Sequence, residues 1–194
     1  ASLRDTWFKT SYLLDNKQTT KGLAKDRFNN YKNQPLKYIF PENFTGKLSS
    51  RGNNKVSTAL DQTRPKAAIL REKGSNSERE MANAMYLAGF DVKDVHMTDL
   101  ISGRETLEDI QFLGAVGGFS NSDVLGSAKG WAGAIKYNEK ANKAIKNFFA
   151  RPDTLSIGIC NGCQLFMELD LINPDHHQHG KMTYNDSGKH ESNF

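Results

Sequence analysis

Strand patterns that alternate with helix patterns dominate the sequence from Arg64 onward, and this alternation limits the fold more than any other feature. Strands are predicted at KAAILRE (66–72), Asp91–Met97, Phe112–Val116 and TLSIGIC (154–160). Helices are predicted at 77–90, 129–149 and 161–172. Such alternation gives parallel strands that are joined by right-handed crossovers. The sequence therefore predicts an α/β fold with a doubly wound, mostly parallel sheet.

Local signals refine these elements. Ser77 and Glu80 have the spacing of a capping box ahead of the first helix, and Gly89 lies where a helix C-cap belongs. Val92 and Val95 are the predicted inward residues of the second strand. Five apolar residues of the helix 129–149 are predicted to face the sheet, namely Trp131, Ile135, Ala141, Ile145 and Phe148.

The first 62 residues have a different character. A helix is predicted in LRDTWFKTSYLLDN (3–16), and SSRGNNKVSTALDQTRP (49–65) has the composition of a linker. Leu3, Trp7, Tyr12 and Leu14 are the predicted apolar contributions of this helix, and residues 1–62 as a whole have too few apolar groups to fold alone. We therefore expect a helical or irregular extension in 1–62, which packs on another surface, and a separate α/β domain in 63–194.

Composition narrows the function classes. The 26 basic and 22 acidic residues are interspersed, so the net charge of +4 does not indicate nucleic-acid binding. Lysines at 136, 140, 143 and 146 have the spacing of a solvated helix face. Two cysteines make no disulfide framework, and no apolar run reaches the roughly 20 residues of a membrane span. The first residues lack a signal-peptide core, so a cytoplasmic protein without a membrane partner is expected.

Both cysteines lie in LSIGICNGCQLF, where the fourth strand meets the last helix. A nucleophile between two glycines at a strand-to-helix turn is typical of a nucleophile elbow. Gly158 and Gly162 hold the glycine positions around Cys160. The helix N-terminus favours a thiolate, and the backbone N–H of Asn161 would face a developing oxyanion.

Two other interpretations of the cysteine pair remain open. The spacing C-N-G-C also suits a thioredoxin-like redox pair of Cys160 and Cys163. A zinc site would need further ligands from His176, His177 and His179, which follow Asn173–Pro174–Asp175 in a predicted loop. A packed Cys163 and a solvated histidine loop are the simpler explanations, so no metal site is predicted.

Three loops are predicted at the carboxyl edge of the sheet, where ligands bind in doubly wound folds. They are Lys73–Ser77, Gly117–Asp123 and Cys160–Cys163. The glycine pair in the second loop allows the backbone N–H of Gly118 to serve as the other oxyanion donor. Gly117, Phe119 and Ser120 are predicted to border the substrate. Gly74, Ser75 and Asn76 carry a weaker signal, because many loops ahead of a helix look alike.

Three blocks of the sequence resemble the glutaminase domains of the phosphoribosylformylglycinamidine synthase family. They are RPKAAILREKGSNSEREMANAMYLAGFDVKDVHMTDL, GGFSNSDVLGSAKGWA and RPDTLSIGICNGCQLF. The segment LRDTWFKTSYLLDN resembles the end of that family's synthetase region. The resemblance covers nearly the whole chain. It implies a class I glutamine amidotransferase with a flavodoxin-like sheet, preceded by the end of a synthetase region and a linker.

The resemblance also implies the chemistry. Cys160 would attack the side-chain amide of glutamine, Gly118 and Asn161 would supply oxyanion donors, and Gln164 would help to form the glutamine pocket. Ammonia would pass to the rest of the parent chain. There, ATP and Mg²⁺ would convert formylglycinamide ribonucleotide into its amidine in de novo purine biosynthesis, so no cofactor is expected within these 194 residues.

Two departures from the family pattern shape the expectations. Asn121 and Ser122 stand where many relatives carry Tyr and Gly. The catalytic His and Glu of the family follow further strands, a position that His190 does not match, so a truncated domain with little activity alone is expected. A cysteine hydrolase or chaperone of the deglycase-peptidase type, or a non-catalytic docking fragment, remain as alternatives.

Overall fold

A computed structural model of the chain describes residues 2–33, 37–42, 44–46 and 64–188. The chain divides into two compact units, one formed by 1–52 with 183–194 and the other by 53–182. Most of the predicted linker (49–63) and His190 lie outside the described residues. The predicted domain boundary at residue 62 therefore stays a prediction.

The larger unit contains a parallel four-stranded sheet beside a small antiparallel ladder. The strands are β1 (Lys66–Arg71), β2 (Ser75–Asn76), β3 (Asp91–His96), β4 (Phe112–Ala115), β5 (Gly117–Gly118) and β6 (Leu155–Gly158). The main sheet has the order β3-β1-β4-β6 with all strands parallel, and β2 pairs with β5 in the antiparallel sense. The four predicted strands are thus confirmed.

Seven α-helices accompany the strands in the described residues. They are α1 (Leu3–Gln18), α2 (Leu23–Asn30), α3 (Glu78–Leu87), α4 (Met97–Ser102), α5 (Lys129–Lys136), α6 (Glu139–Ala150) and α7 (Asn161–Glu168). In the sheet, the chain steps outward from β1 in both directions, to β3 on one side and through β4 to β6 on the other. This reversal places the crevice of the doubly wound fold at the carboxyl ends of β1 and β4.

Adjacent residues of β4 show that helices cover both faces of the sheet. A methyl group at Gly114 would lie 2.5 Å from the side chains of Met81 and Met85 in α3. The next residue, Ala115, instead contacts Gly162 of α7. Successive residues of a strand point to opposite faces. Helices α3 and α7 therefore pack on opposite faces, which confirms the predicted doubly wound arrangement.

The apolar core of this unit follows the predicted pattern. Val95 and the five predicted residues of the helix 129–149 are buried, and Trp131 is fully buried. Leu113 of β4 is also inaccessible to solvent. Burying one such side chain contributes about 1.5–3 kcal/mol to folding. The parallel sheet and its helices therefore carry their own hydrophobic core.

Two local predictions were wrong. Ser77 adopts a left-handed conformation (φ 72°), and its side chain makes no capping hydrogen bond to α3. A capping box occurs instead at α4, where Asp99 accepts from the backbone N–H of His96 at 2.9 Å. The predicted helix 129–149 is divided into α5 and α6, because Asn138 is extended and its side chain caps α6 through Ala141 N–H at 2.9 Å.

In the smaller unit, aromatic contacts, hydrogen bonds and an ion pair join α1 and α2. The Arg4 guanidinium lies 3.6 Å from the ring centroid of Tyr31 and donates to the carbonyl oxygen of Phe28 at 2.8 Å. Tyr12 stacks on Phe28 with centroids 4.7 Å apart. Helix α1 is confirmed, but none of its residues is buried.

Strand β6 is the outermost strand of the described sheet. Leu155, Ile157 and Ile159 along this segment are all exposed large apolar residues. An unpaired strand edge with apolar side chains offers a surface for pairing with another chain segment. Among the described helices, none is long and apolar enough to cross a lipid bilayer.

Candidate active site

Cys160 occupies a strained turn between β6 and α7. Its backbone has φ 52° and ψ −108°, a combination that L-residues rarely adopt. The turn is held by Ile159 N–H, which donates to Ala115 O at 3.0 Å, and by Gly162 N–H, which donates to Ile159 O at 2.8 Å. Backbone strain of this kind costs about 1–3 kcal/mol and is characteristic of functional turns. The turn leaves Cys160 exposed at the carboxyl edge of the sheet.

The two glycines around Cys160 are required by close backbone packing. A methyl group at Gly158 would lie 2.7 Å from the carbonyl oxygen of Gly162 and 2.8 Å from the backbone nitrogen of Cys163. A methyl group at Gly162 would overlap the carbonyl oxygen of Ala115 in β4. Neither position has room for a side chain. The pattern that indicates an elbow in the sequence thus has a steric cause in the structure.

Cys163 lies inside α7 and is half-buried. Both cysteines are free thiols. No described group of three or more His, Cys, Asp and Glu residues is arranged to hold a metal ion. His179 of the predicted histidine loop contacts the Asp170 carboxylate at 2.6 Å, and His176 contacts the backbone of Gln178 at 2.9 Å. These two histidines therefore have local partners.

The glycine pair after β4 comes close to Cys160. Gly117 is buried, and a methyl group there would lie 3.2 Å from Cβ of Cys160. Gly118 has φ +100° and pairs with Ser75 in the β2-β5 ladder. A methyl group at Gly118 would lie 2.7 Å from the backbone nitrogen of Asn76. The structure thus brings the second and third predicted loops together at the thiol.

The loop after β1 supports the glycine pair more closely than its sequence suggests. Phe119 N–H donates to Gly74 O at 3.0 Å, and Asn121 N–H donates to Lys73 O at 2.7 Å. Gly74 has φ +88°, and a methyl group there would overlap the carbonyl oxygen of Phe119. Its positive φ and lack of a side chain let the two loops pack backbone against backbone.

This ladder also orients the backbone of Gly118. Hydrogen-bonded and non-hydrogen-bonded pairs alternate along antiparallel strands. Because Phe119 is hydrogen-bonded to Gly74, the alternation predicts that the N–H of Gly118 points away from β2. At the elbow, the N–H of Asn161 has no acceptor among the described residues. The N–H of Asn161 is therefore available to a ligand, and the ladder is expected to leave the N–H of Gly118 on the side away from β2.

The side chain of Asn161 links the loop Gly117–Ser120, here called the glycine loop, to α7. The sequence did not reveal this role. Asn161 is 1% exposed. Its Oδ1 accepts from Ser120 N–H at 3.0 Å, and its Nδ2 donates to Gln164 Oε1 at 2.9 Å. The burial of a residue next to the nucleophile is a tertiary feature without a local signal. Asn161 therefore connects two of the predicted pocket residues.

The remaining predicted pocket residues differ in exposure. Phe119 is 64% exposed, whereas Ser120 is 2% exposed. The Ser120 hydroxyl has no hydrogen-bond partner in the part of the chain that the structure describes. Gln164 is half-buried, and its backbone N–H donates to Cys160 O at 3.1 Å. All the predicted site residues lie at one edge of the sheet, on the loop Gly117–Ser120 or on the elbow and α7.

Comparisons with known proteins identify the family of this chain. The model of the CobB/CobQ-like glutamine amidotransferase domain matches residues 64–194. A probable phosphoribosylformylglycinamidine synthase from Caenorhabditis elegans is 50% identical over 135 residues, which cover 68% of this chain and 10% of the relative.

A second relative and a solved structure extend the comparison. A probable chloroplastic/mitochondrial phosphoribosylformylglycinamidine synthase from Arabidopsis thaliana is 39% identical over 201 residues, which cover 99% of this chain and 14% of the relative. The structure of PurLQS from Thermotoga maritima matches with a TM-score of 0.46 and 29% identity over 57% of this chain and 47% of that chain. The chain thus spans a small part of the curated relatives that it matches.

Proposed function

The chain belongs to the family of CobB/CobQ-like glutamine amidotransferase domains, and on that premise we propose that Cys160 releases ammonia from glutamine. The observation that carries the proposal is the strained, exposed Cys160, which lies beside Gly117 and between two glycines without room for side chains. The family match favours this function over the deglycase-peptidase alternative. The resemblance predicted from the sequence is confirmed by the match.

The proposed reaction has two steps. The Cys160 thiolate attacks the side-chain amide carbon of glutamine, the carbon–nitrogen bond breaks, and the leaving nitrogen takes a proton to depart as ammonia. Water then attacks the γ-glutamyl thioester, which releases glutamate and restores the thiol. In both steps a negative oxygen develops, and we propose that the backbone N–H groups of Gly118 and Asn161 stabilise it.

Four further residues are proposed to bind glutamine. Gly117 and Ser120 are buried beside the elbow, and Phe119 is exposed at its rim. Gln164 lies one helical turn after Cys160. Its backbone N–H donates to Cys160 O at 3.1 Å, and its side chain accepts from Asn161, which in turn accepts from Ser120 N–H.

The names of the relatives indicate which reaction would use this ammonia. We propose that the chain is the glutaminase part of an ATP-dependent phosphoribosylformylglycinamidine synthase in purine biosynthesis. The rest of that enzyme would be its partner and would bind ATP, Mg²⁺ and the ribonucleotide. A reducing compartment such as the cytoplasm suits a catalytic thiol, and the plant relative is named for organelles.

Activation of the thiol requires a base in addition to the elbow. Among the described residues, none forms a hydrogen bond with the Cys160 thiol. Triad-type enzymes use a histidine that is oriented by a carboxylate. We therefore expect these 194 residues alone to release glutamate far more slowly than a complete enzyme.

An alkylating diazo-ketone analogue of glutamine tests the proposal directly. Peptide mapping should locate the label on Cys160, and excess glutamine should slow the labelling because both compounds occupy one pocket. A Cys163→Ser variant is the matched control and should be labelled like the parent. A labelling rate that excess glutamine does not lower, or a label on Cys163, would contradict the proposed site.

A further inference from the structure

The side-chain amide of Asn161 is a buried connection between the glycine loop and α7. It lies between a backbone donor 41 positions earlier, Ser120 N–H, and the side chain of Gln164. Neither hydrogen bond belongs to the regular pattern of a helix or a strand. A fully buried amide that connects two elements is costly unless each of its hydrogen bonds is made.

The two hydrogen bonds determine which way both amides point. A backbone N–H can only donate, so Asn161 must present Oδ1 to Ser120 and therefore Nδ2 to Gln164. Because Nδ2 can only donate, Gln164 must present Oε1 to it. Gln164 is consequently left with Nε2 as its free end. No acceptor for Nε2 occurs among residues 64–188 as described.

Gln164 lies one turn into α7 from the nucleophile, because its backbone N–H donates to Cys160 O at 3.1 Å. Its side chain bonds to the same Asn161 amide that holds the loop Gly117–Ser120. We propose that Asn161 is a positioning residue that holds Gln164 as a hydrogen-bond donor toward an oxygen of the bound substrate. The inference rests on the proposed glutaminase function and deepens it. Asn161 also attaches the loop Gly117–Ser120 to α7, so one amide aligns both sides of the pocket.

Replacement by aspartate separates the two roles of this amide. In Asn161→Asp, one carboxylate oxygen can still accept from Ser120 N–H, but the other cannot donate to Gln164. The Gln164 amide would then turn and donate to the carboxylate, which leaves Oε1 facing the substrate. We therefore expect KM for glutamine to rise about five- to tenfold, the range for one lost hydrogen bond.

Asn161→Ala removes both hydrogen bonds and should lower kcat as well, since the glycine loop loses its attachment. In a Gln164→Ala background, adding Asn161→Asp should change KM by less than about twofold, because Asn161 would act through Gln164. Asn147→Asp is the matched control: it makes the same chemical change on the exposed side of α6 and should behave like the parent.

The measurements are glutamate-release kinetics of the full-length chain that carries these residues, and its synthetic rate with ammonium chloride in place of glutamine. The ammonia-dependent rate bypasses Cys160 and shows whether a variant is folded. An unchanged KM in Asn161→Asp, or independent effects on KM of the N161D and Q164A substitutions, would overturn the inference. Glutamine-dependent activity that survives in Cys160→Ala would instead overturn the proposed function.

Discussion

The two units of the chain differ in how far their large apolar side chains are buried. In the α/β unit, Trp131 is fully buried within a continuous core. In the smaller unit, Trp7 is 80% exposed and Leu3 is 91% exposed, and Ala24 is the one buried apolar residue among its described positions. The α/β unit therefore has an independent source of stability, whereas the apolar residues of α1 are available to another surface. That residues 1–62 pack on another surface stays a prediction, for which the exposed apolar residues of α1 are the motive.

Replacing the two tryptophans tests this contrast with the largest expected effect. Trp131→Ala should lower the free energy of unfolding by about 3–5 kcal/mol, because it empties a buried site. Trp7→Ala should change it by less than about 0.5 kcal/mol, since the indole is mostly in solvent. Chemical denaturation followed by circular dichroism measures both. Equal losses in the two variants would show that the units do not differ as described.

A glycine replacement tests whether the tight packing of the α/β unit extends to the elbow. Gly162→Ala should cost about 2–4 kcal/mol, because its methyl group would overlap the carbonyl oxygen of Ala115. The thermal unfolding midpoint of the larger unit reports the effect.

Gly133→Ala provides the matched control within α5. The nearest atom to its methyl group would be 3.9 Å away, on Tyr137, so no clash arises. Alanine is favoured over glycine inside a helix, and this variant should be unchanged or stabilised by up to about 1 kcal/mol. A Gly162→Ala protein as stable as Gly133→Ala would contradict the close contact between α7 and β4.

The reactivities of the two thiols allow the exposed edge of the α/β unit to be compared with its packed interior. Cys160 is exposed and Cys163 is half-buried in α7. Brief treatment with iodoacetamide should modify Cys160 about tenfold faster, because exposure and thiolate content control the rate. Peptide mapping gives the ratio, and comparable labelling of both thiols would count against an accessible elbow.

The smallest expected change in stability concerns the ion pairs of Lys93 in β3, whose ammonium group lies 2.9 Å from the Glu105 carboxylate and 3.6 Å from that of Asp109. Burial raises the pKa of the Glu105 carboxyl, but hydrogen bonds from Lys93 and from the backbone of Leu107 and Thr106 outweigh it, so the net pKa is lowered. A lowered pKa contributes stability above the unfolded-state value of 4.5, and this stability is lost as pH falls through the folded-state value.

Glu105→Gln should therefore lose part of the stability at pH 7 and show a weaker decrease between pH 5 and 3, as roughly expected for one ion pair. Urea denaturation at several pH values measures the change. Glu108→Gln is the control, because the Glu108 side chain forms no ion pair with a described residue. A Glu105→Gln protein with the parent's pH profile would show that Lys93 contributes nothing to stability.

Much of the fold follows from patterns that act within one element. The four main strands, the burial of Val95 and the left-handed Gly89 (φ +103°) at the end of α3 agree with their predictions. The capping box at Ser77 failed because Ser77, directly after β2, has a left-handed backbone, whereas a capping residue is normally extended. The division between α5 and α6 went unnoticed because apolar spacing continues across Asn138.

The candidate site shows the same limit of local patterns. Cys160 and its flanking glycines were identifiable because the elbow is a short motif with a steric cause. The amide bridge from Asn161 to Ser120 was not identifiable, since it joins residues 41 positions apart. The support that Gly74 gives to Phe119 likewise depends on how two loops meet.

The sequence alone determined the alternation of strands and helices, the position of the elbow and the membership of an amidotransferase family. These features depend on the spacing of apolar residues and on glycines a few positions apart, so they can be recognised within a short segment of the sequence. Tertiary structure decided which atoms face the thiol, how the Asn161 and Gln164 amides point, and which tryptophan is buried. Those outcomes depend on distances between remote segments, which become fixed when the parallel strands pair and bring their carboxyl ends to one edge.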